Sequence, residues 1–550
     1  MTADCIEKLI ESVDNVTLLE SFSTNAENRL ISGKIAVTLS GKSVSWDVKI
    51  DQVYPYKILG HESIRFINED LISYPHIMQG GVLCMHPAEY EDAECQFIND
   101  LKQLREWVDT YYIRGVKDDH YEHLVVNTTP ICDEYYAYCF SETDVSFLAE
   151  DYGKVVYTSI QRGDKQGKVI NNFVVQGFLS DKYWRREMTS MIGSAYRNTE
   201  DSSMGFYCFL KESPSIHGKF IIEDYSSLDD LFSQAQKDAL YGFVQKYRNK
   251  MSYFPLFCGY QIPGGEIHWH VALVYLKELP IECFSLGVGQ GRSWHTRFKQ
   301  GTILWGHTEN ISYKYFFGRG AMPNVLADKK ILIMGIGAIG SMVAETWTRC
   351  GGKYVTLHDI DTKEPGNVCR STYPFLSGIT EKTYDLKRQL VSISPHVNCS
   401  IWEDWGDLLI KLHATGHGDN QSITEFFDDF DIIFDCTTDN QLMRIMDAIP
   451  TSAQVVNLSI TNHAQDLVCA LSPNVTETVS LVFSQLNRPK KFDMYNPTGC
   501  WKPTFKASYN DIASKVQFAL KHIISMLSNQ EPKSNFFITD EEESLKIHRL

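Results

Sequence analysis

The stretch from Lys330 to Gly340 constrains the fold of this chain more than any other. The run Lys330–Met334 is apolar after its lysine and predicts a buried β-strand. It leads into Gly335, Gly337 and Gly340, in the pattern G-x-G-x-x-G. These glycines permit a tight turn, a close approach of the backbone to phosphate, and tight packing of a helix on the strand. A strand, a glycine turn and a helix in this order predict a nucleotide site at the start of the helix.

The same alternation of strands and helices continues through residues 311–550. Buried strands are predicted at Val355–His358, Ile432–Phe434 and Val455–Ser459, and a helix at Thr380–Ser394. Strands that alternate with helices form a parallel sheet with helices on both faces. This region is therefore predicted to be an α/β, doubly wound, Rossmann-like domain.

Charged residues after the glycines discriminate between two kinds of nucleotide chemistry. Asp359 lies 19 residues after Gly340, where an acidic residue holds a ribose hydroxyl, and this fits NAD as well as ATP. Arg370 and Lys382 follow. Two cations aimed at phosphates have no role in hydride transfer, but they stabilise the pyrophosphate that departs when ATP is cleaved after its α phosphate. The segment Phe434–Asn440 ends another strand at the same sheet edge, where a carboxylate is well placed to bind Mg²⁺.

Residues 325–460 resemble the adenylation fold of the ThiF/MoeB and ubiquitin-activating enzyme family. The family pattern G-x-G-x-x-G, D-x-D, N-x-x-R, lysine, D-C-T-D-N corresponds here to the three glycines, Asp359/Asp361, Asn367/Arg370, Lys382 and the segment 435–440. The resemblance implies that Asp359 holds the ribose of ATP, that Asn367, Arg370 and Lys382 hold its phosphates, and that Asp439 binds Mg²⁺.

The same resemblance bears on assembly and on metals. Relatives in this family are usually homodimers in which the partner lends an arginine to the ATP site, so we expect a homodimer, with Arg319 as the candidate arginine. Many relatives hold zinc through C-x-x-C pairs. The 14 cysteines of this chain include no such pair, so no structural zinc is predicted.

One cysteine near the carboxyl end stands in a loop-like sequence between glycine and proline. Gly499-Cys500 precedes Trp501 and Pro503, and such a cysteine can be exposed and reactive as a thiolate, although free cysteines are often packed inside. The string G-C-W-x-P-T-F resembles the catalytic loop of bacterial activating–conjugating fusion proteins, which implies that Cys500 is a catalytic thiol. Relatives more often have histidine where Lys502 stands. Cys436 is the alternative, at a strand end where packing is favoured.

Residues 1–125 read as an α+β domain with a second candidate thiol. Helical spacing is predicted over Ile6–Leu19, strands at Lys34–Leu39 and Val44–Ile50, and a helix from Phe97. The order of short motifs along this region resembles a ubiquitin-conjugating enzyme: Tyr54-Pro55, Tyr74-Pro75-His76, Gly81-Val82-Leu83-Cys84, then the helix.

That resemblance implies that Cys84 carries a thioester. The usual H-P-N triplet is absent, because Tyr74-Pro75-His76 stands in its place, and His76 is one candidate for its role in the transfer step. The alternatives are that Cys84 is a core thiol between Leu83 and Met85, or that Cys95 is the reactive cysteine. Cys95 lies in an acidic stretch that disfavours a thiolate.

Composition excludes some partners and leaves the middle of the chain open. The net charge of −17 argues against non-specific nucleic-acid binding. The longest uncharged apolar run, Ile331–Ala344, is too short and glycine-rich to span a membrane, and the first residues lack the basic start of a signal peptide, so we expect a cytoplasmic protein. Residues 126–310 have no predicted fold. Within them, His268 and His270 more plausibly pair in a strand than bind metal, and Gly287–Gly291 reads as a turn.

The order of the chain, with a conjugating-like half first and an adenylating half last, resembles the fusion proteins of bacterial CD-NTase-linked (CBASS) antiphage operons. This implies ATP-dependent activation of the carboxyl terminus of a partner protein, capture on Cys500, transfer to Cys84, and conjugation to a target lysine. The partner in those relatives is the cGAS-like CD-NTase. A separate ubiquitin-like modifier is an alternative partner, and an NAD-dependent oxidoreductase or a non-catalytic scaffold are alternatives of other classes.

Overall fold

The computed structural model of the protein describes the greater part of the chain. It covers residues 1–57, 62–85, 90, 92–117, 128–182, 186–197, 202–214, 221–262, 265–286, 293–402, 412, 415–416, 420–486, 494–496, 504–541 and 544–550. The chain divides into two compact units. The first comprises Met1–Ser190 and Asp201–Glu309, and the second Met191–Glu200 and Asn310–Leu550. Within the described residues, none of the helices combines the length and the apolar character needed to cross a membrane.

The first unit begins with an antiparallel sheet. Its elements are α1 (Ala3–Glu11), β1 (Val16–Thr24), β2 (Ile31–Leu39), β3 (Lys42–Ile50), β4 (Ile64–Ile67) and α2 (Ala93–Trp107), which continues as a π-helix over Val108–Ile113. The strands lie in the order β1-β2-β3-β4. The strands predicted at Lys34–Leu39 and Val44–Ile50 are confirmed as parts of β2 and β3, which form a hairpin. Ser40 and Gly41 both have positive φ, as a two-residue hairpin turn of this kind requires.

The predicted helix over Ile6–Leu19 is wrong in its second half. Helix α1 ends at Glu11, and Asn15 takes a left-handed φ of 65° before strand β1 begins. A left-handed residue ends a helix, and the β-branched Val16 and Thr17 then favour a strand. The apolar spacing at this point therefore belongs to two elements.

Residues 128–310, for which no fold was predicted, form a mixed sheet and a hairpin. Their elements are β5 (Tyr135–Phe140), β6 (Tyr152–Ser159), β7 (Gly163–Lys165), β8 (Lys168–Ser180), β9 (Glu187–Thr189), β10 (Ser202–Phe209), α3 (Gln234–Tyr247), β11 (Tyr253–Gln261), β12 (Ile267–Tyr275), β13 (Ile281–Leu286), β14 (Ser293–Phe298) and β15 (His307–Asn310). The sheet order is β12-β11-β10-β6-β8-β5-β15, and β13 pairs with β14. One face of the sheet is covered by a buried apolar cluster that includes Phe206, and the other face by a cluster that includes Tyr207.

The second unit is the predicted doubly wound α/β fold. Its elements are α4 (Tyr313–Phe316), α5 (Asn324–Ala327), β16 (Lys330–Met334), α6 (Ala338–Arg349), β17 (Tyr354–His358), α7 (Lys382–Ile393), β18 (Asn398–Ile401), α8 (Asn420–Asp428), β19 (Ile432–Asp435), α9 (Asn440–Ala448), β20 (Gln454–Ile460), β21 (Asp466–Leu471), α10 (Val475–Gln485), α11 (Tyr509–Leu527), β22 (Phe536–Glu541) and β23 (Ser544–Arg549).

The strands of this unit lie in the order β18-β17-β16-β19-β20-β21-β22-β23. Strands β18 to β20 are parallel, and β21 to β23 continue the sheet antiparallel. Helices α6, α7 and α11 pack on one face, and α8, α9 and α10 on the other. The predicted Rossmann-like sheet is therefore confirmed, and the carboxyl ends of its parallel strands share one edge.

A segment from the middle of the chain belongs to this second unit. The N–H of Gly193 donates to the carbonyl of Pro395 at 2.6 Å, and the N–H of Ser194 donates to Asn398 Oδ1 at 3.0 Å. The hydroxyl of Tyr196 donates to the carbonyl of Val391 at 2.8 Å. Residues 191–197 thus pack along the end of α7 and the start of β18.

A buried ion pair holds the loop between β17 and α7. Lys363 Nζ lies 2.7 Å from Asp385 Oδ2, and both residues are buried. The same ammonium donates to the carbonyl of Pro374 at 2.9 Å and to the hydroxyl of Ser377. Arg388 adds a second cation to Asp385 at 3.2 Å. The loop is therefore folded onto the first turn of α7 by a charge cluster shielded from water.

We predict that Asp385→Asn lowers the free energy of unfolding of the second unit by about 3–5 kcal/mol, because it leaves the Lys363 ammonium buried without a counter-ion. Urea unfolding followed by circular dichroism measures the effect. Asp328→Asn is the matched control, since Asp328 pairs with Lys353 at 2.7 Å on the surface. Such exposed pairs contribute at most about 1 kcal/mol. Equal losses for the two variants would contradict the prediction.

A buried carboxyl group makes the first unit sensitive to pH. Tyr54 donates its hydroxyl to Asp100 Oδ2 at 2.6 Å, and Gln96 donates to Asp100 Oδ1 at 2.8 Å. Burial raises the pKa of Asp100 to about 6 despite these hydrogen bonds, which favour the ionised form. Compared with the unfolded chain, the folded state therefore favours the neutral form of Asp100.

We predict that the contribution of Asp100 to the free energy of unfolding of the first unit is largest below about pH 4. Stability is then lost as the pH rises through about 6, by up to about 3 kcal/mol. Asp100→Asn cannot ionise and should remove this slope. Unfolding of the wild type and the variant between pH 4.5 and 8 measures it as a difference curve. A constant difference over that range would refute the assignment.

Candidate active site

The glycine turn between β16 and α6 has the geometry of a phosphate cradle. Gly335 takes a φ of +76°, which favours glycine. A Cβ atom on Gly340 would clash with the carbonyl oxygen of Gly335, so the helix can start this close to the strand only with glycine there. Gly337 caps α6 with open space around it, since none of the described atoms lies within 4 Å of a Cβ built there. The first N–H groups of the helix therefore border free space, where an anion is stabilised.

Two side chains from outside the turn hold it in place. Asp359 Oδ2 accepts the N–H of Ile336 at 2.9 Å, and the hydroxyl of the buried Tyr373 donates to the carbonyl of Ile336 at 2.6 Å. The predicted ribose ligand thus also fixes the turn. Tyr373 had no signal in the sequence, because it lies in no motif and its contact spans 37 residues.

Lys382 lies beside Asp359 at this edge. It begins α7, is only 6% exposed, and places Nζ 2.7 Å from Asp361 Oδ2 and 3.4 Å from Asp359 Oδ1. The structure therefore brings together the glycine turn, the D-x-D carboxylates and one of the predicted phosphate-binding cations.

Asn367 and Arg370 make other contacts. Asn367 closes a short 3₁₀ turn, with its Oδ1 accepting the N–H of Glu364 at 2.8 Å. Arg370 Nη1 donates to the hydroxyl of Thr504 and to the carbonyl of Phe505 at 3.3 Å, with its guanidinium over the Phe505 ring. Burial lowers the pKa of Arg370 from its usual value, but a guanidinium stays charged at neutral pH. In this structure Arg370 therefore joins two distant segments of the same chain.

Asp439 lies where β19 leads into α9. It caps the helix, with Oδ1 accepting the N–H groups of Gln441 at 2.7 Å and Leu442 at 3.2 Å, and it is exposed. Asp435, four residues earlier, is buried: its carboxylate accepts hydrogen bonds from Thr437 and Asn457, and burial raises its pKa. Of the two, only Asp439 has the exposure that a ligand of a nucleotide-bound cation needs. Mg²⁺ is commonly held by one or two carboxylates together with substrate phosphates, which this single exposed carboxylate fits.

Cys500 lies outside the described residues, but the base of its loop is described. Tyr495 and Thr504 form a mutual backbone bridge, with N···O distances of 2.8 and 3.0 Å. Thr504 also contacts Arg370, and the N–H of Tyr509 donates to the carbonyl of Cys369 at 2.9 Å. The chain on either side of Cys500 is thus tied to the segment that carries Asn367 and Arg370. Thr504 belongs to the G-C-W-x-P-T-F string, but that string did not indicate its contact with Arg370, which lies 134 residues away.

Cys84, in the first unit, follows a glycine pair with positive φ. A Cβ on Gly81 would clash with the backbone of Asn68, so glycine is required for this crossing. The N–H of Cys84 donates to the carbonyl of His76 at 2.7 Å, and Cys84 is half-buried between the buried Leu83 and Met85. Cys84 and His76 therefore lie on paired backbone segments.

The end of α2 holds the Tyr74-Pro75-His76 segment. Trp107 Nε1 donates to the carbonyl of Pro75 at 2.9 Å, and Tyr111 OH lies 3.0 Å from His76 Nε2. His76 itself takes a left-handed φ of 63°. The imidazole is thereby fixed by an aromatic side chain from the π-helical turn.

The alternative sites have contacts typical of structural residues. Cys436 is buried, and burial raises its pKa far above that of a free thiol. A hydrogen bond with Asp92 and the charge of that carboxylate raise the pKa of Cys95. His270 Nε2 lies 2.8 Å from Tyr260 OH in strands β12 and β11, and the described residues contain no group of three His, Cys, Asp or Glu side chains suited to a metal. Gly287–Gly291 lies outside the described residues.

Comparison with known proteins identifies part of the chain. Residues 310–548 match the model of the ThiF family. A 247-residue stretch is 24% identical to the ATP-dependent ubiquitin transferase-like protein Cap2 of Enterobacter hormaechei, over 43% of this chain and 40% of that protein. A 77-residue stretch is 34% identical to ubiquitin-like modifier-activating enzyme 5 of Caenorhabditis briggsae, over 14% of this chain and 18% of that protein. The match thus spans less than half of either relative.

Among solved structures, the crystal structure of E. coli MccB with ATP is 17% identical, with a TM-score of 0.29, over 41% of this chain and 64% of that chain. The ThiF match confirms the family resemblance stated for the adenylating half. The conjugating resemblance of residues 1–125 remains a prediction. The carboxy-terminal region of this chain, residues 310–548, is therefore similar to the ThiF family.

We predict that Gly340→Ala destabilises the second unit by about 1–3 kcal/mol and weakens ATP binding, because α6 must move away from Gly335 to admit the methyl group. Thermal unfolding and calorimetric titration with ATP measure the two effects. Gly242→Ala is the control: it lies inside α3, and none of the described atoms lies within 4 Å of its added Cβ. Alanine should there raise stability by about 0.5–1 kcal/mol. Unchanged ATP affinity in Gly340→Ala would argue against the cradle.

Proposed function

We propose that this protein uses ATP to activate the carboxyl terminus of a partner protein and then conjugates that partner to a lysine. The observation that best supports the proposal is the shared sheet edge of the second unit. There the glycine turn follows β16, Asp359 and the adjoining Lys382 follow β17, and Asp439 follows β19. A glycine cradle alone suits several nucleotides, but a buried cation and an exposed carboxylate on its two sides suit ATP cleavage after the α phosphate.

In the first step, a carboxylate oxygen of the partner's tail attacks the α phosphorus of ATP. The bond between the α phosphorus and the bridging oxygen breaks, and pyrophosphate leaves. The N–H groups at the start of α6 and the Lys382 ammonium stabilise the charge that builds on the phosphates, and Asp359 orients the ribose. Asp439 would hold Mg²⁺, which neutralises phosphate charge when bound.

In the second step, the thiolate of Cys500 attacks the acyl carbon of the adenylate, and AMP leaves. The contacts of Thr504 and Phe505 with Arg370 support this step, because they tie the chain that follows Cys500 to the segment beside the nucleotide site. A thioester preserves the activation that the anhydride supplied, because a carboxylate itself is a poor electrophile.

In the third step, the thiolate of Cys84 takes over the acyl group and releases Cys500, and a lysine amine then attacks the Cys84 thioester and releases its thiolate. His76 is the candidate for stabilising the oxyanion. The hydrogen bond between Cys84 N–H and the His76 carbonyl, and the contact of the imidazole with Tyr111, support this assignment.

The proposal includes a CD-NTase as the activated partner and a homodimer as the assembly. The similarity of part of the chain to Cap2, a ubiquitin transferase-like protein, supports the first point. The exposed apolar side chains of Phe375, Leu376 and Ile379, between Arg370 and Lys382, support the second, because contiguous exposed apolar groups mark interfaces. Arg319 is exposed near the start of the unit and is the candidate arginine that a second copy would lend.

We predict that Cys500→Ala keeps partner-dependent exchange of pyrophosphate into ATP but forms no thioester. Cys84→Ala should form the Cys500 thioester but conjugate nothing. Each loss should exceed about 10³-fold, since each removes a nucleophile. Exchange is followed with labelled pyrophosphate, and thioesters as reductant-sensitive adducts on gels, with a CD-NTase as partner.

Cys436→Ala is the matched control, because it removes a buried thiol of the same unit and should retain both steps. If pyrophosphate exchange occurs with a ubiquitin-like protein but not with a CD-NTase, the ubiquitin-like protein is the partner and the CD-NTase is not. Absence of exchange with either partner, or conjugation by the double variant C84A/C500A, would overturn the proposed function.

A further inference from the structure

A small pocket lies at the carboxyl end of β20, on the far side of Asp439 from the glycine turn. Asn457, Ser459 and Ile460 of β20 form one side of it, and the segment 438–440, which includes Asp439, lines it where β19 leads into α9. Strand β19 lies between β16 and β20, so the pocket is next to the carboxylate assigned to Mg²⁺. Neither the sequence motifs nor the proposed function assigns it a role.

The size and the wall of the pocket suit one apolar side chain. Its volume is about 150 Å³. A cavity of this size holds a benzene-sized group, whereas sites for whole small-molecule ligands start at about 300 Å³. The wall opposite β20 is formed by Met443 of α9 and by Val479 and Phe483 of α10. A charged side chain placed against these three residues would lose hydration there without gaining a partner from them.

The two polar side chains that β20 contributes to the floor of the pocket have hydrogen-bond partners. Ser459 donates to Asn457 Oδ1 at 2.8 Å, and Asn457 donates to Asp435 Oδ2 at 2.8 Å. Thr437 donates to the other oxygen of Asp435 at 2.7 Å and accepts the N–H of Asp439 at 3.2 Å. The floor is thus rigidly connected to Asp439, and the apolar wall is left to select the occupant.

The order of the strands indicates from which side the carboxyl-terminal tail of the activated protein reaches the nucleotide. Asp359 follows β17, the glycine turn follows β16, Asp439 follows β19, and the pocket ends β20. With neighbouring strands about 4.8 Å apart, the pocket lies about 14 Å along the edge from the ribose position. A nucleotide seated on β17 and β16 leaves the β19–β20 side open to the carboxylate that it activates.

We propose that this pocket receives the side chain of the carboxy-terminal residue of the activated protein and selects a small to medium apolar one. This inference rests on the proposed function and adds a specificity to it. A tail that ends in glycine leaves the pocket unfilled. A tail that ends in aspartate or lysine places a charge against Val479 and Phe483.

The test measures pyrophosphate exchange into ATP with acetylated tetrapeptides Gly-Ser-Gly-X, where X is Gly, Ala, Val, Leu, Phe, Asp or Lys. The full-length protein should use X = Val with roughly tenfold higher kcat/KM than X = Gly, the discrimination that a few apolar carbons give. Peptides ending in Asp or Lys should be used less well than Gly.

Phe483→Ala should shift the preference from Val to Leu and Phe, because it enlarges the pocket, while the KM for ATP stays unchanged. Leu481→Ala is the matched control. It lies on the same helix and is 51% exposed, as against 38% for Phe483, but does not line the pocket. It should keep the wild-type profile.

The possible outcomes distinguish a wrong pocket assignment from a wrong proposed function. Exchange with all peptides at rates independent of X, or the same profile in Phe483→Ala and wild type, overturns the pocket assignment and leaves the proposed function standing. Absence of exchange with every peptide, in protein that binds ATP by calorimetry, contradicts adenylation of a peptide tail, and the pocket assignment falls with it.

Discussion

The close approach of helix α6 to strand β16 is the constraint on which the second unit depends. Only a hydrogen atom fits between Gly340 and the Gly335 carbonyl, so the helix begins directly over the strand end. This brings the Ile336 N–H within reach of Asp359, and the Ile336 carbonyl within reach of Tyr373. One steric contact thereby sets the position of three segments that are distant in the chain.

Two buried lysines near the start of α7 differ in the exposure of their carboxylate partners. Lys363 is enclosed with Asp385, the Pro374 carbonyl and the Ser377 hydroxyl, and it holds the loop after β17 together. Lys382 is paired with Asp361, whose side chain is mostly exposed, at the open edge of the sheet. A ligand at this edge can reach the pairing of Lys382 with Asp361, whereas Lys363 and Asp385 are both enclosed. The cluster around Lys363 therefore supports the site, and Lys382 belongs to it.

Local sequence patterns predicted the second unit and two strands of the first sheet well, and the middle of the first unit poorly. Lys330–Met334 and the glycines after it form the predicted strand, turn and helix, because each of these elements is determined by residues that are adjacent in sequence. The contact of Arg370 with Thr504 depends on the path of the chain across 134 residues, so no local pattern could indicate it. In the middle region, strands such as β11 and β12 are buried on both faces, and apolar runs of this kind indicate a buried strand but not the strands with which it pairs.

The docking of residues 191–197 on α7 and β18 makes the second unit discontinuous in the chain. A fragment that starts at Asn310 would lose the partners of the Pro395 carbonyl and of Asn398, and would uncover the surface under the buried Ile192. Autonomous expression of the adenylating half therefore calls for a circular permutation or a grafted peptide that restores this strip. The two halves of the chain are interleaved in sequence, so recombination between them at a single crossover point would separate this strip from the surface it covers.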